Sequence, residues 1–299
     1  MGKRLISANA SEILKMTAAE LKQSIKASEG RTILSENVAT RESFIGDITN
    51  SEIAKAFGAD LILLNCVDVL NPNIFGLEVT EGSFVDELRR LVGRPIGVNL
   101  EPVDLEANMK EELFSISKGR QANLETIQEI ERLGMNFVCF TGNPGTGVTN
   151  KQIEKTIRLA KENFSGLIIA GKMHGAGVDE PIADMKAIEG FIEAGADIIL
   201  VPAVGTVPGF DEMELKEVVK VAHSKDALVL TAIGTSQESS DEDTIKQIAI
   251  LNKICGVDIQ HIGDAGYGGV APFENIFAMS KAIRGVRHTI SMIARSVNR

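Results

Sequence analysis

The side chains best suited to chemistry in this 299-residue sequence close short apolar runs. Glu36 and Asn37 follow TILS, Asn65 and Asp68 end LILLNCVD, and Asn99 and Glu101 end IGVNLE. Thr141 and Asn143 follow FVCF, Lys172 and His174 follow LIIAG, Thr235 and Ser236 follow LVLTAIG, and Asp264 follows IQHIG. In such a setting a carboxylate acts as a general base or ligates a divalent ion, and a desolvated lysine donates a proton or forms a Schiff base. Glu36, Glu101, Lys172 and His174 are the catalytic candidates, with Asn65, Asn99 and Asn143 expected to contact substrate. Plainer readings stand beside these: Glu101 caps a helix or pairs with a lysine, Lys172 pairs with a carboxylate, and His174 caps a helix.

Two glycine-rich closures add a binding function. Gly234-Thr235-Ser236 and Gly263-Asp264-Ala265-Gly266-Tyr267-Gly268-Gly269 let backbone N–H groups approach an anion, the alternative being two tight turns that need positive φ. Tyr267 is the only tyrosine of the chain and is expected at the wall of a ligand site. A third cluster, Gly142-Asn143-Pro144-Gly145-Thr146-Gly147, matches neither a Walker A motif nor a dinucleotide fingerprint. The run QESSDEDTIKQ reads as solvated helix-capping structure.

The elements that must position these residues are visible as a repeat. Apolar, β-branched runs begin at Arg31, Leu61, Pro95, Asn136, Leu167, Asp197, Ala227 and Val257, at spacings of 30, 34, 41, 31, 30, 30 and 30 residues. Amphipathic helical patterns such as NLETIQEIERLG fill the gaps. Runs apolar at nearly every position suit parallel strands covered by helices on both sides, and eight such units in about 250 residues is the size of a (β/α)8 TIM barrel. A doubly wound open sheet would not give eight evenly spaced strands with no edge strand of different character. Gly58-Ala59-Asp60, Gly134-Met135-Asn136, Gly195-Ala196-Asp197 and Gly256-Val257-Asp258 precede the even-numbered strands, which suggests a βαβα module repeated four times.

The expected organisation is one domain over 1–299: an N-terminal helical extension over 1–30, a barrel over 31–272 and a long terminal helix over 273–299. In IGVNLE the residues Ile96, Val98 and Leu100 suit the helix-facing side, so Gly97, Asn99 and Glu101 point inward. Lys172 and His174 share a parity on strand five and are both expected to reach the pocket.

Composition narrows the function classes. Forty-one acidic against 31 basic residues give a net charge of −10, and aromatics make up only 4% of the chain, so neither a phosphate-backbone footprint nor a base-stacking platform is present. Nucleic acid and membrane are therefore not expected partners, and the chain reads as cytoplasmic, with no apolar segment near the length of a membrane span. Cys66, Cys139 and Cys255 are too widely spaced to form a metal or redox pair, and the four histidines form no zinc cluster.

Several stretches carry a family resemblance. GDITNSEIAKAFGADLILLNCVDV, ANLETIQEIERLGMNFVCF and MKAIEGFIEAGADIILVPA resemble units of the phosphoenolpyruvate phosphonomutase and isocitrate lyase superfamily. The whole chain, from KRLISANASEILKM, is similar to a bacterial TIM-barrel family labelled PEP phosphonomutase-like, itself distant from the characterised mutases and lyases. The superfamily implies Mg2+ held by an Asp-x-Asp pair after strand three and acidic residues after strand four. Here Asn99 takes the first position, Glu101 the second, and Phe140-Thr141-Gly142-Asn143 brings no carboxylate. Glu101 alone carries over as a metal ligand, and the Lys-Lys-Cys-Gly-His signature of the lyases is absent. The resemblance also implies a homo-oligomer that exchanges its terminal helix, the alternative being that this helix packs on its own barrel.

These readings lead to a lyase or isomerase acting on a small anionic metabolite, phosphorylated or a 2-oxo acid, with Mg2+ as the candidate cofactor. A Schiff-base aldolase using Lys172 and a non-catalytic barrel that binds a phospho-metabolite are the alternatives.

Overall fold

The structure, a computed structural model, describes residues 3–264 and 268–299. Its eight strands are β1 (Thr32–Val38), β2 (Leu61–Asn65), β3 (Ile96–Leu100), β4 (Phe137–Phe140), β5 (Leu167–Gly171), β6 (Ile198–Pro202), β7 (Leu228–Ile233) and β8 (Ile259–Ile262). All are parallel, pair in chain order, and close with β8 against β1. Two short helices, α1 (Ala10–Ile13) and α2 (Ala18–Lys26), precede β1. One helix then follows each strand: α3 (Asn50–Ala56), α4 (Phe84–Val92), α5 (Leu124–Arg132), α6 (Asn150–Asn163), α7 (Met185–Ala194), α8 (Glu212–Ser224), α9 (Glu242–Cys255) and α10 (Phe273–Ala294). This is the (β/α)8 TIM barrel that the repeat predicts.

Every strand is buried along its whole length, yet its two faces differ. Leu34, Leu61, Leu63, Phe137, Leu167, Ile169, Ile198, Leu200, Leu228, Leu230 and Ile259 fill the barrel interior. Their alternates, among them Ile33, Ile62, Val98, Ile168, Ile199 and Val229, face the helices. Leu and Ile layers fill a barrel of this size, so the core has little need of aromatic rings. Gly97 makes room for one of the few: a Cβ there would lie 2.2 Å from the Phe137 ring.

The fourfold Gly-x-Asp/Asn motif has a structural job. Gly58, Gly134, Gly195 and Gly256 all have positive φ and end their helices, as expected. The acidic or amide residue then folds back onto the preceding odd-numbered strand. Asp60 Oδ2 accepts from Ile33 N at 2.8 Å, Asn136 Oδ1 from Ile96 N at 3.0 Å, Asp197 Oδ2 from Ile168 N at 3.1 Å and Asp258 Oδ2 from Val229 N at 2.9 Å. Each backbone N–H that a strand start would otherwise leave unpaired is thereby satisfied.

Both termini are helical, with breaks that the repeat does not predict. The N-terminal extension is two helices, because Thr17 begins α2 with a capping box to Glu20 and so interrupts the periodic run. The terminal helix breaks at Gly285 (φ 68°, ψ 168°), so its second half folds back and Ser280 Oγ meets Thr289 Oγ1 at 2.8 Å. Apolar residues at helical spacing divide there: Ile276, Met279 and Ile283 are buried, whereas Val286 and Ile290 are exposed. Beyond the break the chain rests on its own barrel base, where Arg295 bonds Asn9 at 2.6 Å and Ser11 N donates to Arg299 O at 2.8 Å.

Arg284, beside the break, forms a fully buried ion pair with Asp60 at 2.6 Å and also donates to the carbonyl of Gly58. Removing one member of such a pair leaves an uncompensated buried charge. Arg284→Ala is therefore expected to lower the unfolding free energy by about 3–5 kcal/mol, read by urea denaturation. An unchanged midpoint would show that the pair does not hold the base.

Candidate active site

At the C-terminal ends of the strands the barrel interior turns from apolar to polar and opens into a cavity of about 610 Å³. Glu36 continues the inward face of β1 after Leu34, Asn65 that of β2 after Leu63, and Asn99 that of β3 after Gly97. Thr141, Asn143, His174, Gly234, Thr235, Ser236, Gly263 and Asp264 complete the part of the wall that the sequence points to. Gly266 and Tyr267 lie outside the described residues.

Glu36 sits at the centre of the wall, 4% exposed, between two donors. Asn99 Nδ2 donates to its Oε1, and His261 on β8 meets its Oε2 through Nε2 at 2.9 Å. His261 is fully buried and its Nδ1 has no partner. A carboxylate accepts, so Nε2 carries the imidazole proton and Nδ1 is a bare lone pair. Each Glu36 oxygen accepts one bond and has the capacity for another, and the residue lines the cavity.

A second network braces the mouth. Glu101, 1% exposed, pairs with Arg120 at 2.7 Å and accepts from both the backbone and the side-chain amide of Asn143 at 2.9 Å. Asn143 exchanges amide bonds with Asn65 at 2.9 and 3.1 Å, and Asn65 reaches Asp264 at 2.8 Å. The loops after β2, β3, β4 and β8 are thus tied together by one chain of hydrogen bonds.

That network decides the fate of the metal expectation. Both Glu101 oxygens are engaged and the residue does not line the cavity. Among the described residues no group of three His, Cys, Asp or Glu side chains is placed to hold a metal ion. The donor set does not fit a Mg2+ site built on Glu101.

Lys172 is also placed differently from expectation. Ile168 and Ala170 of β5 belong to the helix-facing layer, and Lys172 continues that outward parity. Its ammonium pairs with Glu180 at 2.7 Å, and Glu180 in turn accepts from Asn150 N at the start of α6. Burial lowers the pKa of Lys172 while Glu180 opposes the shift, but the side chain does not line the cavity. His174 does line it, because the strand has ended at Gly171 and the chain has turned. Ala176 N donates to His174 Nδ1 at 3.0 Å, which leaves its Nε2–H as the donor. Burial holds this imidazole below its ordinary pKa, hence neutral at neutral pH, against the pull of Glu36 and Glu101.

Arg41, Cys66 and Glu238 of the wall and, behind it, His261 are among the residues that escape the sequence reading. Burial pushes the Cys66 thiol up to about 11, so it is not a thiolate nucleophile. Glu238 comes from the acidic run after β7 that reads as solvated, yet it is 6% exposed and its Oε2 has no partner. Strand alternation would have found His261, since Ile259 two residues earlier points into the barrel.

With the geometry established, comparison places the chain. Residues 6–299 match the family described as "Domain of unknown function (DUF7916)", and the protein belongs to that family. No curated protein matches the sequence significantly. Among solved structures, it is similar to phosphoenolpyruvate phosphomutase from Streptomyces platensis subsp. rosaceus, with 14% identity, 84% of this chain and 82% of that one covered, and a TM-score of 0.51. A Schiff-base-forming fructose-1,6-bisphosphate aldolase is similar at 16% identity, 86% and 96% coverage and a TM-score of 0.53. An archaeal fructose 1,6-bisphosphate aldolase follows at 17% identity, 86% and 95% coverage and 0.51. At these identities the likeness establishes the barrel fold and no activity. Among the described residues no helix is long and apolar enough to cross a membrane.

Glu238 gives the site a pH signature. Burial raises its pKa first, the negative charges of Asp264 and Glu36 raise it further, and a backbone bond opposes the shift. A carboxyl whose folded pKa is raised contributes stability below its unfolded pKa that is lost as pH rises through the folded value. Glu238→Gln is expected to flatten this loss just above pH 4.5 and to raise Tm at neutral pH, measured by calorimetry across pH. A lower Tm at neutral pH would contradict the assignment.

Proposed function

We propose that the protein is an enzyme of the lyase or isomerase type that performs acid–base chemistry on a small metabolite in the barrel mouth. The observation that supports this reading is Glu36, a buried carboxylate that faces the cavity with His261 and Asn99 fixing its orientation. A base positioned in this way can take a proton from a carbon next to a carbonyl group. The electron pair moves toward the carbonyl oxygen, where the Nε2–H of His174 is the available neutral donor; Glu36 then returns the proton to a neighbouring carbon in an isomerisation, or gives it to the group that the electron pair expels in an elimination. Arg41 is the only lysine or arginine among the described wall residues, and it takes the phosphate or carboxylate end of the substrate at the rim. The Gly234–Ser236 and Gly263–Asp264 turns also line the cavity.

Two rival chemistries have less support. The ion pair of Lys172 with Glu180 holds the lysine away from the cavity, which disfavours a Schiff base. Cys66 is a protonated thiol, and Cys139 is fully buried with its pKa well above the ordinary value.

The test is a screen of 2-oxo acids and phosphorylated metabolites in D2O, with proton exchange and turnover read by NMR. For any substrate so found, Glu36→Gln is expected to reduce the rate by about 10²–10⁴-fold without changing the fold. Borohydride treatment is expected to give no adduct on Lys172. A Lys172 adduct, or a rate indifferent to Glu36→Gln, would overturn the acid–base reading. Ligands that bind without any turnover would favour the non-catalytic barrel.

A further inference from the structure

Three residues that line the cavity each carry a buried oxygen atom with no hydrogen-bond partner: Asn99 Oδ1, Thr141 Oγ1 and Glu238 Oε2. These residues are 3%, 2% and 6% exposed, so each is more than nine-tenths buried. The assignment of the Asn99 amide is fixed by its neighbour, because its nitrogen must be the atom that donates to the Glu36 carboxylate. Asn99 Oδ1 and Glu238 Oε2 are therefore acceptors that lack a donor, and the Thr141 hydroxyl accepts equally well. Among the described wall residues no buried nitrogen is left in the same condition.

Orphaned buried acceptors are costly, and what satisfies them must bring N–H or O–H groups. A phosphate or carboxylate brings oxygen lone pairs instead. Charge points the same way, since Glu36, Glu238 and Asp264 lie along the wall and Arg41, at the exposed rim, is the one basic side chain beside them apart from the neutral His174. An ammonium group supplies three donors and a positive charge.

We propose that this cavity binds a protonated primary amine, so that the substrate is a small zwitterionic metabolite with its amine among these acceptors and its anionic group at Arg41. The inference rests on the cavity being the substrate site.

The test compares β-alanine with propionate, which share a carboxylate and differ in the ammonium, with ethanolamine and inorganic phosphate as the single-charge probes. Affinities are measured by calorimetric titration of the full chain. β-Alanine is expected to bind roughly tenfold or more tightly than propionate, the yield of one charge-assisted hydrogen bond. Glu238→Gln is expected to remove that advantage while leaving the response to phosphate unchanged, and Thr141→Val, which keeps the shape of the side chain, to reduce it. Propionate or phosphate binding as tightly as β-alanine, or an advantage that survives Glu238→Gln, would overturn the proposal. Because the readout is binding, loss of the amine preference alongside Glu36-dependent turnover defeats this inference alone. An amine preference in a chain that turns over no substrate defeats the catalytic reading alone.

Discussion

A carboxylate inside a barrel costs several kcal/mol unless donors surround it, and the mouth of this molecule is organised around meeting that requirement for Glu36. One donor comes through Asn99 from β3, two strands from β1 on one side, and the other through His261 from β8, which pairs with β1 on the other side. The closed pairing of β8 with β1 is what brings His261 into reach across 225 residues of sequence. Placement of the base is therefore a property of barrel closure, and a local change in any one loop leaves it in position.

Rigidity at the two ends has different sources. At the base, the recurring Asp or Asn side chain clamps each odd strand, and the Arg284–Asp60 pair anchors the terminal segment beneath β1. At the mouth, the chain Arg120–Glu101–Asn143–Asn65–Asp264 links four loops through side chains with little exposure. A mouth braced in this way presents a largely pre-formed cavity, which is how small-molecule sites are usually built. It also explains why Glu101, the strongest single residue by family resemblance, is a brace rather than a ligand: its charge is consumed by Arg120.

The barrel was legible because its signals are periodic. Eight apolar runs, their near-constant spacing and the fourfold Gly-x-Asp motif all report one repeating unit, and each survives as structure. Side-chain direction was less legible, and for a physical reason. A strand covered on both faces has no alternation of polar and apolar residues to reveal its parity. LIIAGKM is such a run, so nothing in it shows that Lys172 turns outward with Ile168 and Ala170. Strand β3 could be oriented, because its alternate positions carry Gly97 and Asn99 against Ile96 and Val98. Glu238 was hidden by composition, standing in an acidic run whose other members cap α9 from solvent.

The central claim is that Glu36 is a cavity-facing carboxylate held by the Nε2–H of His261. The most direct measurement is long-range 1H–15N NMR of the chain labelled at histidine nitrogen. The account predicts that His261 is the neutral tautomer, protonated at Nε2 and bare at Nδ1, and that Glu36→Gln perturbs the Nε2 proton. A proton resident on Nδ1, with Nε2 bare toward Glu36, would contradict it.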